Sequence, residues 1–145
     1  MTPQYQEFPT HDPENGIYGD CFRGALASIL DLPISEVPHF ARNHPDDEVA
    51  RQKAIDIYLA SKGFYLFGMD YLTGVADIER VRPKHAGGYY HLIMGIDFDG
   101  DGHACVGFNG KLVHDPNPSQ KWLANPPSEW KIGLFMSTMH KESPP

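Results

Sequence analysis

Several things are scarce in this sequence, and each scarcity excludes something. Only 2 of the 145 residues are cysteine, too few for the disulfide framework of a small secreted domain. Neither a CxxC pair nor a paired Cys/His spacing occurs, so no structural zinc site and no metal or other cofactor is expected. Lys and Arg number 12 against 19 Asp and Glu, a formal net charge of −7. A polyanion binder needs the opposite balance, so a nucleic-acid partner is not expected. No apolar run approaches the ~20 residues of a membrane-spanning helix, so neither is a membrane partner. Residues 1–10 have neither a basic n-region nor an apolar h-region. A signal peptide is therefore not expected, and a cytoplasmic location is. No repeat and no internal linker is visible. The histidines (His11, His39, His44, His85, His91, His103, His114, His140) are scattered along the chain.

What is present is a globular balance, 41% hydrophobic and 21% charged residues, matching a folded chain. The length predicts one domain, residues 1–145. It suffices to bury roughly 68–70% of the unfolded surface without disulfides.

Residues 1–16 read as an irregular, turn-rich lead-in. A helix is predicted from Asp20 or Cys21, since Phe22, Ala25, Leu26, Ile29 and Leu30 recur at helical spacing. Asp20 is placed to cap it and Pro33 to end it. Its small residues Gly24, Ala25, Ala27 and Ser28 predict a close neighbour. A short turn follows over Ile34–Val37. A second helix is predicted from Pro45-Asp46-Asp47 to about Ser61, with Ala50, Ala54, Ile57, Tyr58 and Ser61 facing inward and Gly63 stopping it. Strands are predicted over Phe64–Phe67, Tyr89–Phe98, His103–Phe108, Lys111–His114 and Gly133–Thr138, with Asn109-Gly110 as a two-residue hairpin turn. Residues 116–130 read as a long proline-rich loop, with Trp122 and Trp130 as its anchors on the sheet or, alternatively, as part of a roof over a substrate groove. Helices first and an antiparallel sheet after make the fold class α+β.

The chemistry centres on Cys21. A thiol at a helix N-terminus has its thiolate stabilised and its pKa lowered; the alternative is a small buried core residue. In the hairpin, Phe108 pairs with Lys111, which sets His103 opposite residue 116, one step from Asp115. A carboxylate beside an imidazole fixes its tautomer and supports the imidazolium. His91 competes as base from an apolar strand, where a satisfied core histidine is the simpler reading. His114 adjoins Asp115, but successive strand residues point to opposite faces. Cys105 shares the face of His103 and reads as a small buried residue.

The stretch Gly19-Asp20-Cys21-Phe22-Arg23-Gly24-Ala25-Leu26-Ala27-Ser28-Ile29-Leu30-Asp31-Leu32-Pro33, with Glu36-Val37-Pro38-His39-Phe40, resembles the opening of small papain-like cysteine hydrolases of bacteria and phages. These are related to the bacteriocin-processing peptidases that act on double-glycine leaders. Gly102–Gly107 and Asn109–Ser119 are similar to that group's His strand and HDPxPS segment, here His114-Asp115-Pro116-Asn117-Pro118-Ser119. The resemblance spans about a third of the chain. It implies a papain-like fold, a Cys-bearing N-terminal helix packed on a C-terminal antiparallel sheet. It also implies Cys21 as nucleophile, His103 as base and Asp115 as orienter, acting on a peptide or protein substrate. Where the family usually places an oxyanion Gln, six residues before the nucleophile, this chain has Asn15, an oxyanion donor or a turn residue of Asn15-Gly16. The competing reading is a catalytically inactive papain-like scaffold that binds a protein partner. The oligomeric state is left open.

Overall fold

The structure, a computed structural model, describes residues 1–81 and 87–138. His85 and His140 lie outside the described residues. The chain is α+β: helices α1 (Cys21–Ile29), α2 (Phe40–Asn43) and α3 (Glu48–Ser61) precede strand β1 (Phe64–Asp70), helix α4 (Tyr71–Val81) and strands β2 (Tyr90–Ile96), β3 (Gly102–Phe108), β4 (Lys111–His114) and β5 (Lys131–Ser137). The strands form one antiparallel sheet in the order β1-β5-β2-β3-β4.

The small residues of α1 meet neighbours on three sides. Leu26 and Ala27 pack with Val37, Phe40, Ile55 and Leu59 of the helical layer. Ala25 packs on Leu92, Ala104 and Val106 of the sheet. At Gly24 an added Cβ would lie 2.8 Å from the Pro116 Cβ, so the chain after β4 crosses directly over the helix. Burying a side chain such as Leu26 or Leu59, each fully buried, contributes about 1.5–3 kcal/mol.

Asp20 does not cap α1. It sits at the N-cap position without a side-chain cap bond, and its carboxylate instead accepts from the backbone N–H groups of Glu7 and Phe8 and from Arg23. It thereby ties the N-terminal segment to the helix start. That segment is ordered: the Gln4 N–H donates to Ser28 Oγ at 2.8 Å and the Gln6 N–H to the Pro116 carbonyl at 2.8 Å.

Asp47 does cap α3, its carboxylate accepting from the Ala50 N–H. The buried stripe of α3 is Ile55 and Leu59, whereas Ile57, expected inside, is 62% exposed. Val49, Ile57 and the alanines distribute apolar surface round this helix, so periodicity alone does not select the face. Among the described residues no helix is long and apolar enough to cross a membrane.

Candidate active site

The β3–β4 hairpin departs from the register read in the sequence, and the departure builds the site. Phe108 faces Lys111 and Gly107 faces Leu112, but Val106 then faces His114, leaving Val113 as an extra residue. A one-residue slip carries every later side chain to the other face of the sheet. Continued by one step, the shifted register sets Asp115 across from Cys105, on the face of His103. In the unshifted register it would oppose Ala104, which packs toward α1. His114 turns the other way and donates from Nε2 to the Gln4 carbonyl at 2.8 Å.

His103 Nε2–H donates to Asp115 Oδ1 at 2.8 Å, and both side chains are buried. Asp115 Oδ1 also accepts from the Asn117 N–H at 2.8 Å, and Oδ2 from the Trp122 N–H at 2.6 Å. Trp122 achieves this with φ of 49°, a left-handed conformation costing a non-glycine residue about 1–3 kcal/mol. The loop thus holds the carboxylate at the expense of local strain. Trp130 anchors the same loop, donating from Nε1 to the Asn125 carbonyl and packing edge-on against Tyr71.

Burial alone would lower the His103 pKa. Its hydrogen bond to Asp115, with the nearby Cys105 and Cys21 thiols, outweighs this and pushes it up to about 12. The ring is therefore an imidazolium at neutral pH. Burial would raise the Asp115 carboxyl, but the bonds from His103, Asn117 and Trp122 hold it below its ordinary range. Burial pushes the Cys105 thiol up, partly offset by His103.

Cys21 is half-buried in the first turn of α1, and its thiol points at the Gly102 carbonyl 4.0 Å away. It lines a cleft of about 620 Å³ together with His103, Gly102, Gln6, Phe40 and Arg51. The structure thus brings Cys21, His103 and Asp115 together. His91 stays apart: it is fully buried, and its Nε2 accepts from the Gly110 N–H at 2.9 Å.

Asn15 is not brought to the cleft. It ends an exposed 3-10 turn, and its Nδ2 donates to Asp12 Oδ2 at 2.7 Å. Gln6, Gln52 and Asn117 are the side-chain amides that do line the cleft, and of these Gln6 is a buried residue that no sequence pattern singled out. Gln6 is 8% exposed, its Nε2 donates to the Phe8 carbonyl, and its Oε1 is buried with no partner among the described residues. Leaving such an atom unpaired costs about 1–3 kcal/mol. No regular pattern marked Gln6; the only signal was an amide in a polar segment.

His103, Cys105 and Asp115 each offer a metal-ligand atom, all within 4.8 Å of one another. Of these atoms, His103 Nε2 and Asp115 Oδ1 are hydrogen-bonded to each other. No protein-family model, no curated protein and no solved structure matches the chain.

Proposed function

We propose that this chain is a papain-like cysteine hydrolase that cleaves a peptide, isopeptide or other amide bond through an acyl-enzyme. The observation that supports the reading is the meeting of a helix-N-terminal thiol in a cleft with an imidazole that a buried carboxylate holds from behind. In this mechanism the Cys21 thiolate attacks the carbonyl carbon while the His103 imidazolium retains the proton. The tetrahedral oxyanion accepts from the Cys21 backbone N–H, which, at the start of α1, has no intrahelical partner. His103 then protonates the leaving amine. The neutral ring next takes a proton from water, which attacks the thioester and releases the acid and the thiolate. Asp115 keeps the ring oriented and transfers no proton.

Alkylation tests the reading. Cys21 is expected to react with iodoacetamide at least an order of magnitude faster than Cys105, because Cys105 is fully buried and its thiol is pushed up by burial. Equal, slow labelling of both thiols would favour an inactive scaffold that binds without turnover.

Gln6 supplies the second oxyanion donor in this reading, through the Nε2–H not given to Phe8. Gln6→Ala is expected to lower kcat by about 10²–10³-fold, the usual cost of one such donor, with KM little changed. Asn15→Ala is expected to leave both constants unchanged. Rates on an amide or acyl probe that labels the native chain decide between them, and the opposite ranking would return the role to Asn15.

A further inference from the structure

The proposed reaction gives the Asn117 side chain no role, yet Asn117 lines the cleft and is only 1% exposed. Burying an amide is unfavourable unless hydrogen bonds use it. Its Oδ1 accepts from the Ser119 N–H at 2.9 Å and closes a local turn. Its backbone N–H donates to Asp115 Oδ1 at 2.8 Å. The turn needs only the side-chain oxygen. Nδ2 reaches out of it and donates to the Pro9 carbonyl at 3.2 Å, 108 residues earlier in the chain. A serine or an aspartate would close the same turn; an asparagine closes it and donates outward as well.

Pro9 follows the carbonyl on which the Gln6 amide rests. Gln6 Nε2 donates to the Phe8 carbonyl at 3.1 Å, and Gln6 Oε1 has no partner among the described residues. The aim of this amide therefore depends on where the Phe8 carbonyl sits. The Phe8 N–H donates to Asp20 Oδ1 at 2.9 Å, so the Phe8–Pro9 peptide lies between two fixed points, Asp20 on one side and Asn117 on the other. The backbone repeats the grip one residue away, where the Gln6 N–H donates to the Pro116 carbonyl at 2.8 Å. We propose that Asn117 is a positioning residue for the oxyanion donor: by holding the Pro9 carbonyl it fixes the Phe8 carbonyl that seats Gln6 Nε2. The turn that carries Asp115 thereby also sets Gln6, and the orienter of His103 and the oxyanion donor keep one spacing although they come from distant parts of the chain.

The inference rests on Gln6 as a donor in the proposed hydrolase, so the test reads the rate and the hold on Gln6 separately. Asn117→Ser in the full chain keeps a side-chain oxygen for the Ser119 N–H but is too short to reach Pro9. On an amide or acyl probe its kcat is expected to fall by about 10–10²-fold, the scale of a misplacement of about an ångström, with KM little changed. In a Gln6→Ala background the same substitution is expected to cost less than about twofold, because the group it positions is gone. In an Asp115→Asn background it is expected to keep its full effect. Amide hydrogen exchange is measured on the same proteins, and protection at Gln6 and Phe8 is expected to fall in Asn117→Ser while that of β3 stays unchanged. Should Asn117→Ser not fold, Asn117→Asp, the same shape without the donor, takes its place. An equal loss of kcat in the native and Gln6→Ala backgrounds would overturn the inference, since Asn117 would then act on the fold or on the substrate itself. Unchanged exchange at Gln6 and Phe8 would overturn it too. Faster exchange there, in a chain whose native form turns over no amide or acyl probe, sinks the hydrolase reading alone and leaves Asn117 as the brace of Gln6.

Discussion

Cys21→Ala is expected to abolish turnover and covalent labelling outright, and His103→Ala to slow turnover by about 10²–10⁴-fold, the range for a positioned acid–base group. The two losses differ because the groups do different things. Without the Cys21 sulfur there is no acyl-enzyme. Without the imidazole the thiol can still attack, but it lacks the charge that stabilises the thiolate and the proton for the leaving amine. Neither change should unfold the chain through Cys21, which is only half-buried. His103→Ala is harsher, since it leaves the buried Asp115 carboxylate facing an empty space; His103→Gln, which can still donate to that carboxylate, separates folding from catalysis. The measurement is the single-turnover rate with an acyl probe, read beside the unfolding midpoint. If Cys21→Ala still turns over substrate, the acyl-enzyme mechanism is excluded.

How far these residues could be read from the sequence depended on whether local rules decided their position. The helical spacing of Phe22, Ala25, Leu26 and Ile29 placed α1, because its apolar side was fixed by its own composition. Asn109-Gly110 placed the hairpin: Asn109 has φ of 51° and Gly110 of 84°, the left-handed pair that this dipeptide favours. Helix α4 carries a similar spacing in Tyr71, Val75 and Ile78, but no cap or breaker marks where it begins. It starts directly after β1 and contains Gly74, where an added Cβ would lie 2.6 Å from Ile132 Cγ2. Close approach to the sheet, unseen in the sequence, outweighs that glycine's poor helix propensity. The pairing of His103 with Asp115 was legible in kind but not in register, because the bulge at Val113 is set by the packing of His114 on the N-terminal segment. Gln6 was hidden for a related reason. Asp20 was read as a helix cap, and its actual role of fastening Glu7 and Phe8 is what carries Gln6 to the cleft.

Asp115 is where stability and activity are expected to separate. Asp115→Ala removes one partner of a buried ion pair, a change that typically costs about 3–5 kcal/mol, and it frees the ring to rotate. Asp115→Asn keeps one carbonyl oxygen for the ring and for the Asn117 N–H, both of which use Oδ1. Its new NH₂ group must then face the Trp122 N–H, a donor that now contacts Oδ2 at 2.6 Å. The Asn variant should therefore retain much of its activity, since the imidazole stays oriented, yet lose about 1–3 kcal/mol for the donor left unpaired. The pH dependence distinguishes this pair from an ordinary turn. The Asp115 carboxyl is held below its ordinary 3.8, so its contribution is complete above pH 3.8 and disappears as pH falls through the lower folded value. His103 is raised from 6.5 to about 12, so its contribution is complete below pH 6.5 and declines as pH rises toward 12. The stability gap between the native chain and Asp115→Asn should be widest between pH 3.8 and 6.5 and narrow on either side. Urea unfolding midpoints of the two proteins across that range measure it. A gap independent of pH, with Asp115→Ala as active as the native chain, would reduce Asp115 to the turn residue that so often precedes a proline.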